Sequence, residues 1–311
     1  IFTTSDIMKI LHIGVCADGH GSLPTAFKKQ CDVYADINTG ESNLNEKVIQ
    51  KAMEMQPDFV FMQLQSEGKV SADTVRSLRS MGAFVMNWSG DVRDPLPPWY
   101  YDMAAAVNVS CFSNMVDVKK IREAGFKSEY LEIGYDETIY CPEGEVLECE
   151  PIVFMANNYL NAFPLSKYRE EVVNHLKQRF GNRFGVYGNG WAGTQSFNHS
   201  QHEEAKKYRG AKIALNISHF NFERYSSDRL LRILGTGVMC ISHNYKGIEQ
   251  DYEVGKHLIT FDELHILPYK IEWFLEHEEE RQRIAKAGNE LAKSRNTFNH
   301  YVTNMLKIAG L

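Results

Sequence analysis

The chain has 311 residues, enough for two α/β units of roughly 150, each able to bury most of its apolar surface. Hydrophobic residues make up 43% and charged residues 24%, the make-up of an ordinary globular chain, and no apolar run reaches the roughly 18–20 residues that a helical membrane span needs. The formal net charge of −6 is unevenly divided. Residues 1–150 carry 13 Lys and Arg against 23 Asp and Glu, whereas the remainder carries 21 against 17, so the second half is the better host for a phosphate-bearing ligand and the first offers little to a polyanion such as DNA.

Met8-Lys-Ile-Leu-His-Ile-Gly14 looks like a native start running into a first strand, so residues 1–7 are expected to be a leader or tag remnant. Ile10 to Ala17, Asp32 to Ile37, Asp58 to Gln65, Ala83 to Ser89, Val109 to Ser113 and Glu129 to Ile133 read as strands, separated by amphipathic stretches such as Ser71 to Met81 and Val116 to Ala124. Repeated βα units imply right-handed crossovers and a parallel sheet, with ligands beyond the carboxyl ends of the strands. Residues 140–151 bring two prolines, a glycine and four glutamates, the expected linker between a first domain at 1–150 and a second at 151–311. Pro151 to Ala156, Phe184 to Tyr187, Ile213 to Ser218, Val238 to Ser242 and His257 to Phe261 form a second strand series. Glu263 to Lys293 is expected to be helical, its charge run Glu276 to Arg283 a solvated face, and Asn299 to Ile308 a last helix.

Six cysteines lie at 16, 31, 111, 141, 149 and 240 without C-x-x-C spacing, which predicts free thiols in a reducing, cytoplasmic setting. The eleven histidines include neither H-x-x-x-H nor His-Glu-x-x-His, so no intrinsic metal is expected, and with no G-x-G-x-x-G fingerprint in the first βα turn no nicotinamide or other intrinsic cofactor is expected either.

Chemistry-bearing residues gather at strand ends. Ala17-Asp-Gly-His-Gly-Ser-Leu-Pro24 makes a glycine-rich first βα turn, in which Gly19, Gly21 and the polar His20 either cradle a substrate or form a bare tight turn; it is not the dinucleotide fingerprint G-x-G-x-x-G. Asn87-Trp-Ser-Gly-Asp-Val-Arg-Asp-Pro95 delivers Asp91 and Arg93 after the fourth strand, a place for a general base or for a structural ion pair. Phe154-Met-Ala-Asn-Asn-Tyr159 puts the amides of Asn157 and Asn158 past a strand, and Tyr187-Gly-Asn-Gly-Trp191 supplies Gly188, Asn189, Gly190 and Trp191. The densest constellation is Asn216, Ser218, Arg224, Ser226, Ser227, Asp228, Arg229 and Arg232. A serine there can cap a helix whose first N–H groups receive diphosphate oxygens, and Arg229 adds positive charge for the leaving group.

From Lys212 to Phe261 the order strand, helix, Gly-Thr-Gly, strand resembles the donor half of GT-B glycosyltransferases, specifically those related to the CgeB-type spore-maturation enzymes, several of them phage-encoded. Gly90-Asp-Val-Arg93, Asn157-Asn-Tyr159 and Tyr187-Gly-Asn-Gly-Trp191 resemble family features, with packing the alternative for Trp191, and Glu249 in Lys246-Gly-Ile-Glu249 resembles an acid that would touch the donor sugar or close the cleft, with a solvated loop acid the alternative. Arg232 stands where many retaining relatives carry the second glutamate of Glu-x7-Glu, so the resemblance is to a branch. It implies an α/β fold of two Rossmann-like domains facing across a cleft, an acceptor domain first and a nucleotide-sugar domain second, with the C-terminal helix crossing back to the first. It also implies a donor, a UDP-sugar on family frequency, and an acceptor hydroxyl on a glycan, protein, small molecule or modified DNA. The alternatives are a phage-type transferase acting on hydroxymethylated bases and a degenerate sugar-nucleotide binder. Within this frame Asp91, with His20, is the catalytic candidate.

Overall fold

The computed structural model describes residues 7–15, 22–192 and 200–311. The chain divides into two compact units, one formed by Ile1–Gly134 with Phe298–Leu311 and the other by Tyr135–Thr297.

In the first unit the strands are β1 (Lys9–Gly14), β2 (Val33–Asn38), β3 (Phe59–Met62), β4 (Phe84–Ser89), β5 (Val109–Phe112) and β6 (Ser128–Tyr130). They pair in parallel in the order β2-β1-β3-β4-β5-β6. Their near-continuous Val, Ile, Phe and Met content is what a sheet covered on both faces requires. The connecting helices are α1 (Ser22–Lys28), α2 (Leu44–Met55), α3 (Ala72–Ser80), α4 (Trp99–Ala106) and α5 (Met115–Glu123). Residues of alternate direction feed two cores. Leu11, Val60 and Val85 pack with Val48, Val75, Leu78 and Met103, while Ile10, Phe59, Phe61 and Met86 pack with Phe27, Phe298, Tyr301 and Met305.

The second unit orders its strands β11-β10-β9-β7-β8, again all parallel: β7 (Ile152–Met155), β8 (Phe184–Tyr187), β9 (Ile213–Asn216), β10 (Met239–His243) and β11 (Ile259–Phe261). Helices α6 (Ser166–Phe180), α7 (Gln201–Gly210), α8 (Arg229–Gly235), α9 (Leu267–Glu276) and α10 (Glu278–Arg295) complete it. Ile152, Phe154, Leu215 and Ile241 meet Val172, Leu176, Ile271 and Ile284 in its main core. The last helix, α11 (Phe298–Ala309), belongs to the first unit and packs along α1, with Gln30 Nε2 donating to the Asn299 carbonyl at 2.8 Å.

Two expectations are corrected. The division falls after Gly134, not at 150, because the irregular segment after it is bound to α7: Leu147 N donates to the Lys206 carbonyl at 3.0 Å, Arg209 Nε to the Glu145 carbonyl at 2.8 Å, and the Tyr140 hydroxyl to Glu204 at 2.7 Å. Proline, glycine and glutamate there mark a lack of regular structure within the second unit, not the boundary between the units. The helix expected over 263–293 is two helices broken at His277, whose N–H and Nδ1 both reach the Trp273 carbonyl while its ring stacks on Trp273 at 3.9 Å. Within the charge run, Arg281 is 5% exposed and donates to the Phe274 carbonyl at 2.8 Å, so it serves that break and not the solvated face. The five described cysteines are free. No helix among the described residues is long and apolar enough to cross a membrane.

Candidate active site in the second unit

Strand β7 is followed by β8 on one side, and β9 then lies on its other side, so the carboxyl ends of β7 and β9 flank a topological switch point. In open parallel sheets that crevice takes the ligand, because the two flanking loops diverge there. Arg229, the first residue of α8, spans it. Its Nε donates to the Met155 carbonyl at the end of β7 (2.8 Å), and its Nη1 donates to the Ile217 carbonyl after β9 and to Ser227 Oγ, both at 3.2 Å. Among the described residues Nη2 makes no hydrogen bond and no carboxylate pairs with the side chain, which leaves donors and charge for an anion.

A buried polar network lies beside it. Asn216, Ser218, Ser242 and His243 are each at most 4% exposed, which is unusual for strand-end residues with no partner outside the protein. Asn216 Nδ2 donates to Ser226 Oγ (3.1 Å) and Ser242 Oγ (3.0 Å), and Ser218 Oγ accepts from Ser227 N (3.2 Å). Ser218 N donates to His243 Nδ1 at 3.3 Å, and His243 Nε2 is buried without a hydrogen-bond partner among the described residues. Burial, then the cationic Arg229 and Arg169, pull the His243 pKa down to about 4, so the ring is neutral near neutral pH.

The same crevice contains a residue the motifs did not reveal. Arg169 on α6 is 1% exposed, lies over the Phe154 and Trp191 rings at 5.3 and 5.9 Å, and has no carboxylate partner among the described residues. Burial and the neighbouring Arg229 lower its pKa to about 9. His219 sits against it, and burial, Arg169 and Arg229 push that imidazole down to about 3. In the sequence Arg169 looks like one more charged position on an amphipathic helix; only its register among Val172, Val173 and Leu176, all facing the core, could have marked it.

Sucrose-phosphate synthase from Thermosynechococcus elongatus matches with a TM-score of 0.68 at 9% identity, over 97% of this chain and 98% of that one. A glycosyltransferase from Rickettsia africae matches at 0.67 and 10%, over 97% and 98% of the two chains, and Anabaena HepE, solved with UDP and glucose, at 0.64 and 12%, over 97% and 99%. The fold is GT-B. Residues 169–307 match the family described as Glycosyl transferase-like, so that match begins at Arg169 and takes in the β9–α8–β10 segment. No curated protein matches the sequence.

On this GT-B frame several expected donor contacts prove to be internal. Ser226 and Ser227 do not cap a helix through their side chains. Helix α8 has seven residues, Asp228 precedes it without a side-chain cap, and Asn216 draws Ser226 back to the strand end. Arg224 is held bidentate by Asp251 at 2.9 and 2.6 Å, and Arg232 by Glu204 at 3.0 Å and Asp228 at 2.6 Å, so neither offers net charge to a phosphate. Gly188 (φ +141°) and Gly190 (φ +83°) serve the approach of the two GT-B loops to each other. A Cβ on them would lie 2.1 Å from the Ala156 carbonyl oxygen and 2.2 Å from that of Asn158. Trp191 is buried with Nε1 donating to the Ala156 carbonyl at 2.5 Å, and Asn157 Oδ1 accepts from Asn189 N at 2.9 Å. Asn158 bonds Glu170, Leu160 N and the Asn189 carbonyl. These residues build the rim of the crevice. Glu249 is exposed on the short turn Ile248–Gln250.

In the first unit Asp91 is 54% exposed along its side chain. One carboxylate oxygen receives Arg93 Nη2 at 3.1 Å, and its N–H donates to Gln65 Oε1 at 2.8 Å. Oδ1 has no partner among the described residues, so the ion pair shapes the loop without consuming the carboxylate. Gly19, His20 and Gly21 lie outside the described residues. No group of three or more His, Cys, Asp or Glu placed to hold a metal occurs among the described residues.

Proposed function

We propose that the protein is a glycosyltransferase that moves a sugar from a nucleoside-diphosphate sugar, a UDP-sugar in preference, to an acceptor hydroxyl, as a member of the CgeB-type branch. The observation that carries the reading is the basic crevice at the β7–β9 switch point, where Arg229 and Arg169 have no carboxylate partner among the described residues and stand next to the neutral donors of His243 and the Asn216 network. The Glycosyl transferase-like match over this segment and the GT-B fold shared with a protein solved with UDP and glucose support it.

In the reaction the acceptor oxygen forms a bond to the anomeric carbon as the bond from that carbon to the β-phosphate oxygen breaks, and the electron pair leaves with the nucleoside diphosphate. Charge grows on the departing phosphate, and fixed cations in a water-poor site stabilise it where bulk water would have to reorganise. The acceptor proton passes to a base, for which Asp91 is the proposed residue, giving inversion at the anomeric carbon. The acidic balance of residues 1–150 favours a glycan, protein or small-molecule acceptor over DNA.

A thermal-shift panel of nucleotide sugars tests the reading. One donor at 100 times its dissociation constant is expected to add about 2.7 kcal/mol of stability and then to release its nucleoside diphosphate when acceptors are supplied. A panel of UDP-, GDP-, dTDP- and ADP-sugars that neither stabilises nor reacts refutes it.

A further inference from the structure

A buried charge persists when something pairs with it, and Arg169 has no carboxylate partner among the described residues. Its guanidinium is almost fully enclosed, and both Nε and Nη2 are buried without a hydrogen-bond acceptor among the described residues. Nη1 lies 2.6 Å from each ring nitrogen of His219; a neutral imidazole offers one acceptor nitrogen, so a single weak neutral partner serves a group with five donors. The Phe154 and Trp191 rings lie against it at 5.3 and 5.9 Å, and the charge that acts on it is that of another cation, Arg229. His219 is the partly exposed member of this cluster, ringed by Tyr159, Phe163 and the Arg169 fork. The arrangement leaves one element missing, an anion with several acceptor oxygens.

We propose that Arg169 is the inner ligand of a phosphate group at this crevice, and that the His219 ring occupies the position of a phosphate oxygen until the anion displaces it. The inference rests on the donor site proposed above and adds a residue to it: Arg229 holds the rim between two strand ends, and Arg169 supplies the enclosed charge. A bidentate guanidinium–phosphate contact satisfies Nε and Nη2 together, which a lysine cannot do.

Calorimetry with inorganic pyrophosphate, without added metal, tests the assignment. Wild type is expected to bind it, and Arg169→Met to bind it about 10- to 100-fold more weakly, the range for losing hydrogen bonds to a charged group. The Met variant is also expected to melt no lower than wild type when free, because it removes an uncompensated buried charge. His219→Ala is expected to bind pyrophosphate as tightly as wild type or more tightly. Undiminished pyrophosphate affinity in Arg169→Met overturns the proposal, as does a loss in His219→Ala equal to that in Arg169→Met. If the Met variant does not fold, Arg169→Lys decides, with unchanged affinity overturning the bidentate ligand. Wild type that binds nucleotide sugars with the same affinity as Arg169→Met leaves the donor site standing and removes Arg169 from it. Wild type that binds pyrophosphate through Arg169 but no nucleotide sugar does the reverse.

Discussion

Replacing Arg229 by alanine perturbs two things that the structure ties to one side chain. The guanidinium joins the ends of β7 and β9 through the Met155 and Ile217 carbonyls at 2.8 and 3.2 Å, across strands that pair directly only at Ile152 and Val153. Each carbonyl loses a charged donor worth about 1.5–3 kcal/mol, and partial exposure lets water recover some of it, so a net loss of about 2–4 kcal/mol is expected. In a unit of this size that is a fall of roughly 5–12 °C in melting temperature. Nucleotide affinity should fall about 10- to 150-fold in the same variant, from the lost charge-assisted phosphate contact. Arg229→Lys separates the effects: a point charge restores part of the affinity but cannot span both carbonyls, so the thermal loss remains. Scanning calorimetry gives the first quantity and isothermal titration the second. An alanine variant that melts with wild type refutes the bridge, and one that binds nucleotide unchanged removes Arg229 from the donor site.

Three further outcomes are expected. Asp91→Asn should lower turnover by about 10² to 10⁴ with donor affinity nearly intact, and the wild-type product should carry the inverted anomeric configuration; near-normal transfer, or retention, assigns Asp91 to shaping the loop with Arg93. His243, with its pKa lowered to about 4 from 6.5 by burial and two arginines, binds its proton in the unfolded chain first, so stability is lost as pH falls from 6.5 towards 4, by on the order of 3 kcal/mol, and His243→Asn should flatten a melting-temperature profile over that window. Gly188→Ala places a methyl group 2.1 Å from the Ala156 carbonyl oxygen at a φ that L residues rarely adopt, so it should destabilise by about 3 kcal/mol or more; a melting temperature within 2 °C of wild type, roughly the shift of under 1 kcal/mol, contradicts the loop packing described.

The strand series was legible because buried parallel strands announce themselves as short β-branched and aromatic runs bounded by glycine and polar residues. All eleven expected strands are present, mostly within two or three residues at each end. The largest overshoot is instructive. Asp58 to Gln65 keeps a buried leucine past Met62, yet the ladder stops there and Leu64 N donates to the Asn87 side-chain oxygen, a long-range bond no local pattern carries. The site was legible by position and less so by role. Residue type predicted a cluster at the β9–α8 junction, and Arg229 stands there, but Arg224 and Arg232 are neutralised by Asp251, Glu204 and Asp228, which lie 27, 28 and 4 residues away. Spacing reveals only the last of these. Arg169 was missed for the converse reason: its lack of a counter-ion is a property of the packed unit.

The central claim is that a nucleoside-diphosphate sugar sits at the switch point of the second unit. Amide hydrogen exchange with and without the stabilising donor measures this directly. Added protection is expected at residues 155–158 and 216–230, where the β7 and β9 ends meet Arg229, and should be largely lost from the same segments in Arg229→Ala at a ligand concentration equal to the wild-type dissociation constant. Protection confined to residues 22–134, or none from a donor that calorimetry shows to be bound, contradicts the account.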